Sequence, residues 1–387
     1  RPSPDVTFAG HDCSPTTVPA LVYAAWRMNS LVTPSIAALR PYEAGKPVEE
    51  LARELGIENA VKLASNENPL GASPDALVAL AGALGDIHRY PDASAFRLRE
   101  GLSAHLGVPM DHIIQGNGSN ELLELCVRTF TTPADHVVFA DPAFVVYQMA
   151  SMAHGVPFTA VPLRDGVHDL EAMAAAVTPK TRLVFVANPN NPTGTYVPRG
   201  AMERFLRAVP PEIVVAVDEA YFEYVDAPDF PDCLALRGLR ERLIVLRTFS
   251  KIYGLAALRV GYAVASAEIV DYLNRVRAPF NVGTPGQAAA LAALSDTEHV
   301  ERSRALNLRE RARLTAELGR LKLDVLPSQA NFVYVNMGRP ARPIYEELLR
   351  RGVIVRPFGP LPNSLRITVG TEPENDRFLA ALREVLA

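Results

Sequence analysis

The sequence predicts an α/β layer protein built on a mainly parallel sheet that is buried on both faces. Four short runs rich in β-branched residues carry this expectation: HVVFA (136–140), RLVFVA (182–187), EIVVAV (212–217) and RLIVLRT (242–248), each bounded by turn-forming residues. Their apolar positions are continuous rather than alternating, the pattern of strands covered on both sides. Helix-length segments separate them, as crossovers between parallel strands require.

Taken in order, the chain opens with residues 1 to about 30, whose longest apolar run, VPALVYAAW (18–26), is nine residues long. That is about half of what a bilayer crossing needs, and it lacks the basic flank of a secretory signal. The segment reads as an extension that the fold does not need. Between residues 75 and 290 helical and buried-strand patterns alternate. Beyond 290 comes a long amphipathic helix with Leu314, Leu318 and Leu321 at i, i+4 and i+7. Its arginines are interspersed with Glu301, Glu310 and Glu317, so the expectation is a solvated helix face and not a nucleic-acid stripe. Short strands in ANFVYV and SLRITVG, around a helical RPIYEELLRRG, predict a second, smaller α/β domain.

Composition narrows the function classes. With 387 residues, 48% apolar and 21% charged, the chain has the size and balance of a soluble enzyme of two domains. A net charge of −4 offers no global attraction to nucleic acid or to anionic membranes, so anion recognition has to be local. Three cysteines without CxxC spacing and eight histidines without a paired motif argue against a disulfide framework or a metal site, and fit a cytoplasmic location.

The chemistry is expected at strand ends, where open α/β sheets form their clefts. Lys251 follows the strand of LIVLRTFS; alone, such a lysine reads more readily as a surface residue, but its neighbours change that. VVAVDEAYFEY ends a buried strand at Asp218, with Tyr221 three residues on; a carboxylate there needs a cationic partner. VFVANPNNPTGTY ends a strand at Asn188 in a rigid turn that can aim an amide into the cleft. In IIQGNGSNELLEL the strand stops at Gly116 and a helix begins near Ser119 or Asn120, a helix start suited to phosphate, although such a glycine loop alone is a weak signal. Thr248, Ser250 and Arg259 add phosphate donors around the lysine. An amine nucleophile, a carboxylate for a ring nitrogen, an amide and a phenol for a ring hydroxyl, and a phosphate cradle are together the contacts that pyridoxal 5'-phosphate requires.

From about residue 33 to its end the chain resembles the fold-type I pyridoxal-phosphate aminotransferases, and within them the histidinol-phosphate aminotransferases. The strings that carry the resemblance are PYEAGKP, KLASNENPLGASP, RYPD, GNGSNE, NPNNPTG, DEAYFEY, TFSKIYGLAALRVG, ANFVYV, GVIVRP and LRITVGT. The resemblance implies a seven-stranded-type sheet, with residues 31–74 as an N-terminal arm and part of the small domain, 75–290 as the large cofactor-binding domain and 291–387 as the C-terminal small domain. It makes Lys251 the lysine that bonds the cofactor and carries the proton, with Asp218, Asn188 and Tyr221 holding the ring and Ser119, Asn120, Thr248, Ser250 and Arg259 the phosphate. Phe144 would stack on the ring in place of a tyrosine common in the family. Tyr90 would reach the cofactor phosphate of a partner subunit, which implies a homodimer. Arg366 and Arg356, with Tyr42 and Asn331, would bind substrate. The implied reaction is transamination of L-histidinol phosphate with 2-oxoglutarate. An aromatic amino-acid aminotransferase and a threonine-phosphate decarboxylase stand as alternatives on the same scaffold.

Overall fold

The computed structural model describes residues 31–359 and 361–387, so the expected N-terminal extension, 1–30, lies outside the described residues. Seven strands form the larger sheet: β1 (Ile113–Asn117), β2 (His136–Asp141), β3 (Phe158–Pro162), β4 (Thr181–Ala187), β5 (Val214–Asp218), β6 (Leu243–Thr248) and β7 (Val260–Val264). Their spatial order is β1-β7-β6-β5-β4-β2-β3, with β2 to β6 parallel and β7 antiparallel to both β6 and β1. The four runs expected from sequence are β2, β4, β5 and β6.

Burial explains why those four were legible. In β4, Leu183, Phe185 and Ala187 enter one apolar cluster while Val184 and Val186 enter another on the opposite face. Side chains alternate across a strand, so a strand with two buried faces has to be apolar at every position.

A four-stranded antiparallel sheet follows, made of β8 (Asp324–Val325), β9 (Phe332–Asn336), β10 (Arg356–Pro357) and β11 (Ser364–Thr368) in the order β10-β11-β9-β8. Val61–Lys62 pairs in parallel with Val353–Ile354 in a separate two-stranded sheet, which ties the early chain to the C-terminal part.

The long helix spans Thr297–Arg320, with Leu314 and Leu318 fully buried and Leu321 at its C-cap. It differs from expectation in its charges. Glu310 and Arg311 are buried rather than solvated, because each finds partners inside: Glu310 accepts from Arg313 and Asn375, and Arg311 donates to the carbonyl of Ala330 and pairs with Asp226 at 2.7 Å. Among the described residues no helix is long and apolar enough to cross a membrane.

Register decides where chemistry can gather. Ala187 pairs with Asp218 and Asp218 with Leu246, so the C-terminal ends of β4, β5 and β6 lie at one edge. Gly261, near the start of β7, pairs with both Thr248 and Gly116 and brings the end of β1 to the same edge.

Candidate active site

At that edge Asp218 and Lys251 line one cavity of about 620 Å³. Asp218 closes a strand whose preceding residues are all apolar, and it is itself buried. Its Oδ2 accepts from the Tyr147 hydroxyl at 2.9 Å and its Oδ1 from the Ala220 N–H at 3.2 Å. Burial raises its carboxyl to about 6 even though both bonds oppose the shift.

Lys251 stands in a tight turn beyond β6, in which Gly254 N–H donates to Lys251 O at 3.0 Å and Leu255 N–H to Phe249 O at 3.0 Å. The amine faces Ser65 O at 3.4 Å and lies 5.6 Å from the centre of the Tyr221 ring. Burial lowers it to about 8, and the Arg366 guanidinium adds to the shift.

The anion cradle is built where β1 meets α1 (Gly118–Phe130). The helix begins at Gly118, one residue before the expected start, with φ +72, and its N–H donates to Arg259 O at 2.9 Å. Arg259 reaches Ser250 Oγ at 3.4 Å and Ala256 O at 3.0 Å, and Ser250 N–H donates to Thr248 Oγ1 at 3.1 Å. Two glycines make this closeness possible. A Cβ at Gly118 would stand 2.5 Å from Arg259 Nη2, and one at Gly261 would stand 2.6 Å from the carbonyl carbon of Gly118. Ser119, Asn120, Thr248, Ser250 and Arg259 all line the cavity.

Phe144 also lines it and meets Tyr147 edge-on at 6.0 Å. The second sheet contributes Arg366 from β11, whose Nη1 donates to Asn191 Oδ1 and Nη2 to Ala64 O, both at 2.6 Å. Arg356 donates to Glu43 O and lies 5.7 Å from the centre of the Tyr42 ring. Arg356, Arg366 and Tyr42 share the cavity with Lys251.

Three expected site residues are not in its lining. Asn188 is fully buried, but its amide turns to Val197, accepting from the N–H at 2.8 Å and donating to the carbonyl at 3.2 Å; the strand-end turn consumes polar groups that were expected to face the cleft. Asn331 is buried behind the wall, where it donates to Asn66 O at 3.0 Å and so supports the lining rather than forming it. Tyr90 is 82% exposed and stacks on Phe280 at 4.7 Å, away from this cavity.

The structure adds residues that the sequence reading passed over. Tyr147 holds Asp218, Asn191 holds Arg366, and Asn66 donates to the Tyr221 hydroxyl at 2.9 Å. One signal for Tyr147 was available: it stands three residues after Phe144, at helical spacing, on α2 (Val146–Ala153).

Residues 58–382 match the aminotransferase class I and II family, and the chain belongs to that family. Its fold is that of the fold-type I pyridoxal-phosphate aminotransferases. Within the family it falls among the histidinol-phosphate aminotransferases. It is 50% identical to the Moorella thermoacetica histidinol-phosphate aminotransferase over 91% of this chain and 92% of that one. It is likewise 50% identical to histidinol-phosphate aminotransferase 2 of Pseudomonas aeruginosa, over 92% and 98%. The crystal structure of the Sinorhizobium meliloti histidinol-phosphate aminotransferase, in complex with pyridoxal-5'-phosphate, superposes with a TM-score of 0.85 at 32% identity, covering 92% of this chain and 98% of that chain.

Proposed function

We propose that this protein transfers the amino group of L-histidinol phosphate to 2-oxoglutarate, giving imidazole-acetol phosphate and L-glutamate, with pyridoxal 5'-phosphate as cofactor. The observation that carries the reading is the meeting of Asp218, Lys251 and the Gly118–Arg259 cradle in one cavity of a chain half identical to histidinol-phosphate aminotransferases. The residues fit the group: a buried carboxyl that, among the described residues, is bonded by a phenol and a backbone N–H, an amine, and a cradle whose space a Cβ at Gly118 or Gly261 would fill.

When bound, the cofactor supplies an aldehyde for the amine and a protonated ring that draws electrons from the carbon attached to the amino nitrogen. Asp218 is poised to hold the proton on the ring nitrogen, because a cation against a buried carboxylate offsets the burial that raises it. Ser119, Asn120, Thr248, Ser250 and Arg259 would hold the phosphate, Phe144 would flank the ring, and Tyr221 would contact its hydroxyl side, while Asn188 would brace the strand-end turn beneath it. Burial, which lowers the Lys251 amine to about 8, favours its neutral, proton-accepting form. Lys251 Nζ can take a proton from the substrate carbon and return it nearby, as general base and then acid. Arg366 and Arg356, with Tyr42 at the opening, would grip the substrate phosphate and in the second half-reaction the carboxylates of 2-oxoglutarate.

The same reading includes a large unit of 75–290, a smaller one of 291–387 joined by part of 31–74, a homodimer and a cytoplasmic location. Exposed Leu77, Val78, Ile87, Tyr90 and Phe280 support an apolar face for a second copy, with Tyr90 reaching the partner's cofactor phosphate.

Purified protein loaded with cofactor and offered histidinol phosphate, phenylalanine, tyrosine and threonine phosphate separates the possibilities. The proposal expects the largest kcat/KM for histidinol phosphate. A larger value for an aromatic amino acid, or carbon dioxide release from threonine phosphate, overturns it.

A further inference from the structure

The segment Ala64–Asn66 lines the cavity, its carbonyls taken by Arg366 at Ala64 and faced by Lys251 at Ser65. Asn66 ends it, 1% exposed and at φ 56, a left-handed conformation that asparagine tolerates and glycine favours. Its hydrogen bonds run in one direction only. The Asn66 N–H donates to Thr368 Oγ1 at 2.9 Å, and that hydroxyl donates its single proton to Asn66 Oδ1 at 3.1 Å. The carboxamide is thereby fixed with its nitrogen toward Tyr221, and Nδ2 donates to Tyr221 Oη at 2.9 Å. A phenol oxygen that already accepts from one side has its own proton to give on the other. Tyr221 lines the cavity.

We propose that Asn66, oriented by Thr368, is a positioning residue that sets the proton polarity of Tyr221, so that the phenol donates into the cavity instead of accepting there. The inference rests on the cofactor reading above, in which the acceptor is the hydroxyl oxygen of the ring. A hydrogen bond donated to that oxygen favours its anionic form, and so lowers the pH at which the lysine-bound cofactor changes its absorbance.

The test is a pH titration of bound-cofactor absorbance in the wild type, Asn66→Gly, Thr368→Val, Tyr221→Phe and the Asn66→Gly/Tyr221→Phe double variant. Glycine keeps the left-handed backbone while removing the amide. Valine keeps the shape of Thr368 but releases the amide to rotate, which serves should Asn66→Gly not fold. The midpoint is expected to rise by about one unit in Asn66→Gly and in Tyr221→Phe, the worth of one hydrogen bond to a charged group. It should rise by less in Thr368→Val, and Asn66→Gly should add nothing once Tyr221 is phenylalanine. A wild-type midpoint in Asn66→Gly, or an equal shift in the Tyr221→Phe background, overturns the inference alone. A wild type that takes up no cofactor overturns the cofactor reading, and this inference with it.

Discussion

Replacing Gly261 with alanine tests the anion cradle with a single methyl group. The added carbon would stand 2.6 Å from the carbonyl carbon of Gly118 and nearer still to the Ser119 nitrogen. Carbon contacts are comfortable from about 3.5 Å, so β7 and the first turn of α1 must part by about 1 Å. Neither side can yield by rotating a side chain, because both are backbone: Gly261 is paired with Gly116, and Gly118 N–H is bonded to Arg259 O. The helix start therefore moves away from the place where it meets an anion. Losing one backbone hydrogen bond to a charged group costs about 1.5–3 kcal/mol, roughly 10- to 150-fold in Kd, and overpacking takes about 1–3 kcal/mol from stability. Titrating the apoprotein with pyridoxal 5'-phosphate by absorbance gives the Kd, and circular dichroism confirms the fold. Gly319→Ala is the comparator, since among the described residues nothing lies within 4 Å of the carbon it would add, and its Kd should not move. A folded Gly261→Ala protein with the wild-type Kd refutes the cradle.

Asp218→Asn should stabilise the apoprotein at neutral pH while weakening cofactor retention. Because the folded carboxyl is raised from 3.8 to about 6, folding takes up a proton between those values, and stability falls as pH rises through them, by on the order of 3 kcal/mol in full. Thermal scans should thus show a higher Tm for the apo variant than for the apo wild type at pH 7, a gap that closes toward pH 4; a gap that widens toward acid contradicts the burial argument. Arg366→Lys keeps the charge but loses the fork that bonds Asn191 and Ala64, so steady-state kinetics should show a KM for histidinol phosphate raised roughly 10-fold or more, as for a lost charge-assisted bond. An unchanged KM places the substrate's anionic end elsewhere.

The parts of the fold that were legible are continuous apolar runs buried on both faces, as in β5, in β6 and in β4 beyond its exposed Arg182. The strands β3 and β7 carried weaker signals. FTAVP ends in proline, and VGYAV holds a glycine whose purpose, clearance for Ser119, exists only in three dimensions. Glu310 and Arg311 looked solvated because their partners, Asn375 and Asp226, are remote in sequence. Of the expected residues near strand ends, Asp218, which closes a strand, and Lys251, which follows one, line the cavity, whereas Asn188, which also follows a strand, turns to Val197. Residues that act through another residue were not legible: Asn66 and Thr368 stand 302 positions apart, and no spacing rule joins them.

The most direct measurement traps the cofactor on its lysine. The cofactor-loaded protein is reduced with borohydride and digested, and its peptides are weighed. The cofactor's mass is expected on the peptide that carries Lys251, and is expected to be absent from the Lys251→Ala protein. Cofactor fixed to a different lysine, or to none in a wild type shown to bind it, would contradict the account.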